Sequence, residues 1–290
     1  MPSVLESVAV VEGGRWRRGA RRLAVAAARR ALRRAGLTPA DVDLLVNAGL
    51  YHERLLGEPA LAALVQDDLG ANPDDPHPGG HGTFSFDVAD GSCGMLTGLR
   101  VADGFLRTGA VDHALVVASD ADPGRGLAPG FPFAPVGAAV VCGRGEGTGG
   151  IAGFRASTGS PPGPTLTATV AFDGRRNRLT VTRPAGADAA AGALAGDVAG
   201  ALLADRGLTP DDLDLVVANP LTAEFLGALA DRLGVPPARV GRPRDGRPVH
   251  TAGLAVALEA AAPAAGLAGR TALLVSGGAG PAAVAALVLP

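Results

Sequence analysis

Six short apolar runs recur along the chain: residues 43–49 (DLLVNAG), 113–119 (HALVVAS), 138–143 (AAVVCG), 214–220 (DLVVANP), 271–277 (TALLVSG) and 282–290 (AAVAALVLP). They are rich in Val, Leu and Ala and hardly alternate with polar residues, which suits parallel strands covered on both faces. Longer segments between them carry apolar residues at helical spacing. In GRWRRGARRLAVAAARRALRRAGL, Leu23, Ala27, Ala31, Leu32 and Ala35 form one stripe, and the arginines fill the opposite, solvated face. Residues 84–98 (FSFDVADGSCGMLTG) pass from an alternating segment through small residues into an amphipathic one. That order predicts a strand, a sharp turn and a helix. The Gly-rich segment from Gly143 to Gly163 predicts an irregular connection, because Pro161, Pro162 and Pro164 oppose a regular element.

The pattern is duplicated. GLTPADVDLLVNAG begins at Gly36 and GLTPDDLDLVVANP at Gly207, an offset of 171 residues. In each copy Pro39 or Pro210 suits the first turn of a short helix, with Thr38 or Thr209 as its N-cap. A second correspondence joins HALVVASDAD, from His113, to TALLVSGGAG, from Thr271, an offset of 158. Carried backward, that offset places Ser92 opposite His250, each at the start of a buried helix. The chain thus divides into halves, 1–150 with the Ser92 turn and 151–290 with Asn219 and His250. Packing such halves as a duplicated α-β-α-β-α five-layer sandwich explains the apolar Ala- and Gly-rich helices, which lie between sheets.

Composition narrows the function. Hydrophobic residues make up 47% and charged residues 19% of 290, as in a globular chain. A formal charge of −2 and a pI near 6.2 argue against nucleic acid or an anionic membrane as partner. The basic residues are all Arg, a bias of composition and not a functional signal. Cys93 and Cys142 have no metal-ligand spacing, and with no secretory signal they point to a reducing cytoplasm. Glu259 and Pro263 interrupt the longest apolar run before it reaches bilayer length. GRGEGTGG opens no helix with phosphate-binding spacing, so nucleotide binding is not expected.

From Phe86 to Asp120 the chain reads FDVADGSCGMLTGLRVADGFLRTGAVDHALVVASD. This resembles, without a gap, the thiolase-fold condensing enzymes related to ketoacyl synthase III, in which FDV and small residues precede a nucleophilic Cys. EPALAALVQDDLGA and PVGAAVVC resemble further segments of that family, the latter without its acidic residue, while the N-terminal region is shorter. The resemblance implies the thiolase-like fold and an acyl group drawn from acyl-CoA or acyl carrier protein through an acyl-enzyme. It implies biosynthesis of a polyketide, a fatty-acid-like product or another specialised metabolite. No permanent cofactor or metal is implied, the CoA or phosphopantetheine thioester being substrate. The expected assembly is a homodimer with one sheet continuous across the interface, or a heterodimer with a homologous synthase.

The departures bear on mechanism. In this register Ser92 occupies the family's Cys position and Cys93 follows it. Asn219 stands where the family has His, and His250 where it has Asn. A Ser at a helix start gains from the helix dipole and free N–H groups, which also hold an acyl oxyanion. It needs a base, and His250 is the one His placed to serve. Asn219 is a candidate donor to a thioester carbonyl or to the imidazole. These roles favour an acyltransferase, with decarboxylative condensation or a silent subunit as alternatives. Each residue also has a plainer reading: Ser92 a helix cap, Cys93 a buried hydrophobe, Asn219 a turn residue before Pro220, His250 a core histidine. One extra residue in the turn would instead promote Cys93 to nucleophile. Cys142 reads as core, and His52, His77, His81 and His113 as surface.

Overall fold

A computed structural model describes residues 1–14, 19–55, 57–72, 82–157, 165–262, 267, 269–278 and 282–290. One sheet holds β1 (Ser3–Glu12), β2 (Leu44–Asn47), β3 (Phe84–Asp87), β4 (His113–Asp120) and β5 (Val136–Arg144), in the order β1-β5-β4-β2-β3. A second holds β6 (Gly150–Ser157), β9 (Leu215–Asn219), β10 (Ala272–Gly277) and β11 (Ala283–Leu289), in the order β6-β11-β10-β9. A separate hairpin pairs β7 (Thr167–Phe172) with β8 (Asn177–Thr182). The helices are α1 (Ala20–Ala35), α2 (Leu61–Leu69), α3 (Gly94–Thr108), α4 (Ala187–Asp205), α5 (Ala223–Leu233) and α6 (Gly253–Ala261).

Three apolar clusters lie between five layers. Leu23, Ala27, Ala31 and Leu32 of α1 are buried, and α1 packs with α2 on the outer face of the first sheet, while its arginines stay at the surface. Leu96, Leu99 and Leu106 of α3 and Leu254 and Leu258 of α6 fill the space between the sheets. Leu202 of α4 and Phe225 of α5 cover the outer face of the second sheet. The arrangement is the α-β-α-β-α sandwich that the apolar helices require.

The two repeat offsets meet in the strand registers. Leu44 pairs with Ala114 across β2 and β4, and Leu215 pairs with Ala272 across β9 and β10. Both Thr-Pro turns form as expected: Asp41 accepts from the N–H and hydroxyl of Thr38 at 2.7 Å each. Asp212 accepts from the same groups of Thr209 at 2.7 and 2.8 Å.

Four features differ from the sequence reading. β5 and β11 run antiparallel to their neighbours, not parallel. Gly277 pairs with Ala283, and the short link between them is too brief for the helical crossover that a parallel strand needs. Residues 150–157 form β6, an edge strand paired with β11, where an irregular connection was expected. An edge strand buries one neighbour's width, so its apolar signal is weak: Ile151 alone of its residues is fully buried. Pro161, Pro162 and Pro164 lie outside the described residues. The hairpin β7–β8 was not foreseen, since nearly all its residues are exposed. Finally, α4 is long and apolar enough to cross a membrane by length and composition, a candidate not singled out from the sequence because Asp188 and Asp197 interrupt it. It packs on α5 and on the second sheet as a core helix.

Close approach between layers leaves some positions to glycine alone. A Cβ on Gly137 of β5 would stand 2.5 Å from the main chain of Leu23 in α1. Gly137→Ala is therefore expected to destabilise the protein by about 1–3 kcal/mol, the usual cost of overpacking. Urea unfolding at neutral pH measures this.

Candidate active site

The segment before α3 forms a helical turn, Gly91–Cys93, made possible by the left-handed φ of 52° at Gly91. The turn spends the N–H of Cys93 on Asp90 O and that of Gly94 on Gly91 O. Those two N–H groups are thus engaged and do not face an oxyanion. Ser92 is buried, and its Oγ donates to Gly277 O at 2.6 Å.

Asn219 ends β9 beneath this turn. Its Nδ2 donates to Ser92 O at 2.8 Å and to His250 O at 3.1 Å, tying the two pseudo-equivalent turns to one amide. The amide fits because Gly253 opens α6: a Cβ there would lie 1.9 Å from Asn219 Oδ1. Both donors of Asn219 are thus used by main-chain carbonyls.

His250 is buried against two aromatic rings, with Phe133 stacked at 4.4 Å and Tyr51 at 5.3 Å between centroids. Its Nδ1 lies 3.3 Å from Asp120 Oδ2, so Nδ1–H donates to the carboxylate and Nε2 is left as acceptor. Nε2 is buried and has no hydrogen-bond partner. Asp120, at the end of β4, also accepts from the N–H groups of Leu50 and Tyr51 at 3.1 and 2.8 Å. The N–H and hydroxyl of Thr251 complete its shell at 2.9 and 2.6 Å. Burial opposes its charge, but the hydrogen bond from His250 and attraction to that ring, with the Thr251 and Tyr51 bonds, hold its pKa below the ordinary carboxylate value. Burial, followed by the Asp120 charge, pushes the Tyr51 hydroxyl up.

Ser92 and His250 line one small cavity of about 30 Å3, with Phe133, Arg183, Gly277 and Gly278 among its walls. Cys93 and Asn219 do not line it. The Cys93 thiol points instead toward Ser276 O and Ala282 O, at 3.4 and 3.5 Å, within the central core. Burial, and then the charge of Asp90, raises its pKa well above the ordinary thiol value, the reverse of an activated nucleophile. Cys142 is buried in β5. His52 and His113 are half-buried and not fully on the surface; His113 Nδ1 lies 3.6 Å from Glu6. His77 and His81 lie outside the described residues.

Sequence reasoning passed over Asp120, Tyr51 and Phe133. Asp120 had a usable signal, because it stands at the carboxyl end of the buried strand ALVVASD, where α/β sheets place functional groups. Tyr51 and Phe133 had none beyond being aromatic in a chain with few aromatics.

No family model matches the chain. It is similar to beta-ketoacyl-[acyl-carrier-protein] synthase III of Sphingopyxis alaskensis, 34% identical over 233 residues that cover 74% of this chain and 65% of that protein. The synthase III of Rhizorhabdus wittichii is 30% identical over 233 residues, covering 75% of this chain and 67% of that protein. The chain thus spans about two thirds of the length of the curated relatives it matches. Among solved structures, the priming beta-ketosynthase of the R1128 polyketide pathway has a TM-score of 0.81 at 24% identity, covering 100% of this chain and 96% of that one. OleA of Xanthomonas campestris has a TM-score of 0.82 at 17% identity, covering 100% and 99%. These likenesses show that the fold is thiolase-like.

The Asp120 charge is stabilising while the carboxylate is ionised. Because its folded pKa is depressed, that contribution is full above the unfolded value of about 3.9 and is lost as pH falls through the lower folded value. Asp120→Asn is expected to cost about 3 kcal/mol or more at pH 7, with the gap to wild type narrowing below about pH 4. Paired urea titrations at the two pH values measure both effects.

Proposed function

The chain belongs to the beta-ketoacyl-[acyl-carrier-protein] synthase III family, and we propose that within it the protein is an acyltransferase working through Ser92, His250 and Asp120. The donor is an acyl-CoA or an acyl carrier protein thioester. The carrying observation is that His250 Nε2 is buried and unpartnered while its other nitrogen is held by Asp120, on a wall shared with Ser92.

In the acylation step the Ser92 hydroxyl leaves Gly277 O and donates to His250 Nε2. Oγ then attacks the thioester carbonyl carbon as the proton passes to Nε2. The C–S bond breaks, and the proton returns from Nε2 to the departing thiolate. An acceptor hydroxyl, amine or thiol then attacks the ester carbonyl as Nε2 removes its proton; the bond from carbonyl carbon to Ser92 Oγ breaks, and Nε2 returns the proton to Oγ. Asp120 fixes the tautomer and ring orientation, as the carboxylate does in serine triads.

Decarboxylative condensation fits less well. It calls for two donors at the enolate oxygen, and the Asn219 amide, the natural second donor, is bound to the carbonyls of Ser92 and His250. Asn219 is accordingly a positioning residue that sets the two turns. The observation favouring a silent subunit is the cavity itself, which at about 30 Å3 is small for an acyl chain beside Ser92.

Intact-mass spectrometry after incubation with acyl thioesters tests the enzyme reading. Wild type and Cys93→Ala are expected to gain one acyl mass, Ser92→Ala none, and His250→Ala to acylate about a hundredfold more slowly or worse. No adduct on wild type with any donor, or an adduct that survives Ser92→Ala, overturns it. Copurification with a Cys-bearing homologue would support the silent reading.

A dimer forms in this proposal through β3. This edge strand leaves one side unpaired, and Phe84 is 58% exposed on it. Phe84→Asp is expected to halve the mass seen by light scattering after size exclusion. An unchanged mass removes β3 from the interface.

A further inference from the structure

The cavity beside Ser92 has a polar wall that acyl transfer itself does not call for. Asp188, in the first turn of α4, is buried and accepts a bidentate pair of hydrogen bonds from Arg183, the residue just after β8. Its Oδ2 also accepts from the hydroxyl of Thr222 at 2.6 Å. Thr222 is the N-cap of α5 and takes the N–H of Phe225. One carboxylate thus clamps the hairpin's end to the starts of two helices, and both members of the ion pair face the cavity. The other residues on that side, Leu166, Ala187, Ala191 and Pro220, are apolar and mostly small. Without the guanidinium they would leave room for a longer chain.

Size follows from this arrangement. A water-sized group needs roughly 10–15 Å3 of cavity, so about 30 Å3 admits two such groups. An acetyl group on Ser92 presents two, a methyl and a carbonyl oxygen. A longer acyl chain directed toward α4 meets the Arg183 guanidinium, and displacing it leaves a buried carboxylate short of its partner.

We propose that the Arg183–Asp188 ion pair is the wall that sets acyl length at this site, restricting the donor to two- or three-carbon acyl thioesters. This rests on the acylation of Ser92 proposed above. The pair acts by occupying the space a longer acyl chain would take and by resisting its own separation. Ala187 and Ala191, on the same helix as Asp188, then line the space uncovered when the guanidinium is removed.

The test compares acetyl-CoA with hexanoyl-CoA by the rate of adduct formation on the whole chain. Wild type is expected to acylate at least about tenfold faster with acetyl, since one methylene in a fitted pocket commonly discriminates 10- to 200-fold. The double variant Arg183→Ala with Asp188→Asn leaves no orphaned charge, and is expected to move the acetyl-to-hexanoyl ratio toward hexanoyl by about tenfold or more. Equal rates in wild type, or an unchanged ratio in the double variant, overturn the assignment. Should the double variant fail to fold by circular dichroism, Arg183→Gln keeps an amide donor for Asp188 while shortening the side chain. Its expected shift is in the same direction by about threefold, and no shift overturns the assignment. Wild type that takes no acyl group from any donor overturns the acylation reading and this one with it. An adduct with an unchanged ratio overturns only the wall.

Discussion

The centre of the molecule is organised by the buried carboxylate of Asp120. A charge at that depth persists only if its lone pairs are filled, and the fold supplies donors from three places: the residues after β2, the His250 ring and Thr251. The last two belong to the other half of the chain, 130 residues away. The same contact therefore joins the two halves and selects the tautomer of His250. In the proposed reaction, stability and chemistry rest on one group, so a change at Asp120 is expected to act on both.

Asn219 performs the complementary task from below. Its amide holds the carbonyls of Ser92 and His250, so the two pseudo-equivalent turns are fixed to each other and not only to their own helices. The cost is exposed in the glycines: Gly253 must lack a Cβ to admit the amide, and Gly278 lies against the Cys93 thiol. This crowding puts Cys93 into the core and leaves Ser92 on the cavity wall. A thiol with its pKa raised by burial beside a hydroxyl that has a histidine near it reverses the usual ranking of the two nucleophiles.

What the sequence made legible was what repeats. Strand composition and the offsets of 171 and 158 residues placed β2, β4, β9 and β10 and set Ser92 opposite His250, because duplicated packing preserves spacing. Features outside the repeat were silent. β6 is an edge strand with one buried neighbour, and the β7–β8 hairpin buries little beyond Leu179. The orientation of β5 and β11 depended on connection length, which composition does not report. At the site, Asp120 was legible only as a carboxylate ending a buried strand, because the partners that give it a role converge only in three dimensions. The direction of the Cys93 side chain likewise depends on one left-handed glycine, Gly91, and on the turn it permits.

The exchange of His and amide between the halves has a chemical consequence that the geometry sharpens. A pair of free donors suits an enolate, whose charge sits on one oxygen. A single imidazole oriented by a carboxylate suits repeated proton transfer, because one nitrogen is fixed as donor and the other left as base. Here both N–H donors of the amide are bound to main-chain carbonyls, and the imidazole Nε2 is left without a partner. Replacing the family's Cys by Ser92 points the same way. A hydroxyl is a poor nucleophile without a base, whereas a thiol can rely on a lowered pKa. An oriented base on the same cavity wall as a hydroxyl, with the neighbouring thiol buried, is what supports the proposed acyl transfer through an ester intermediate.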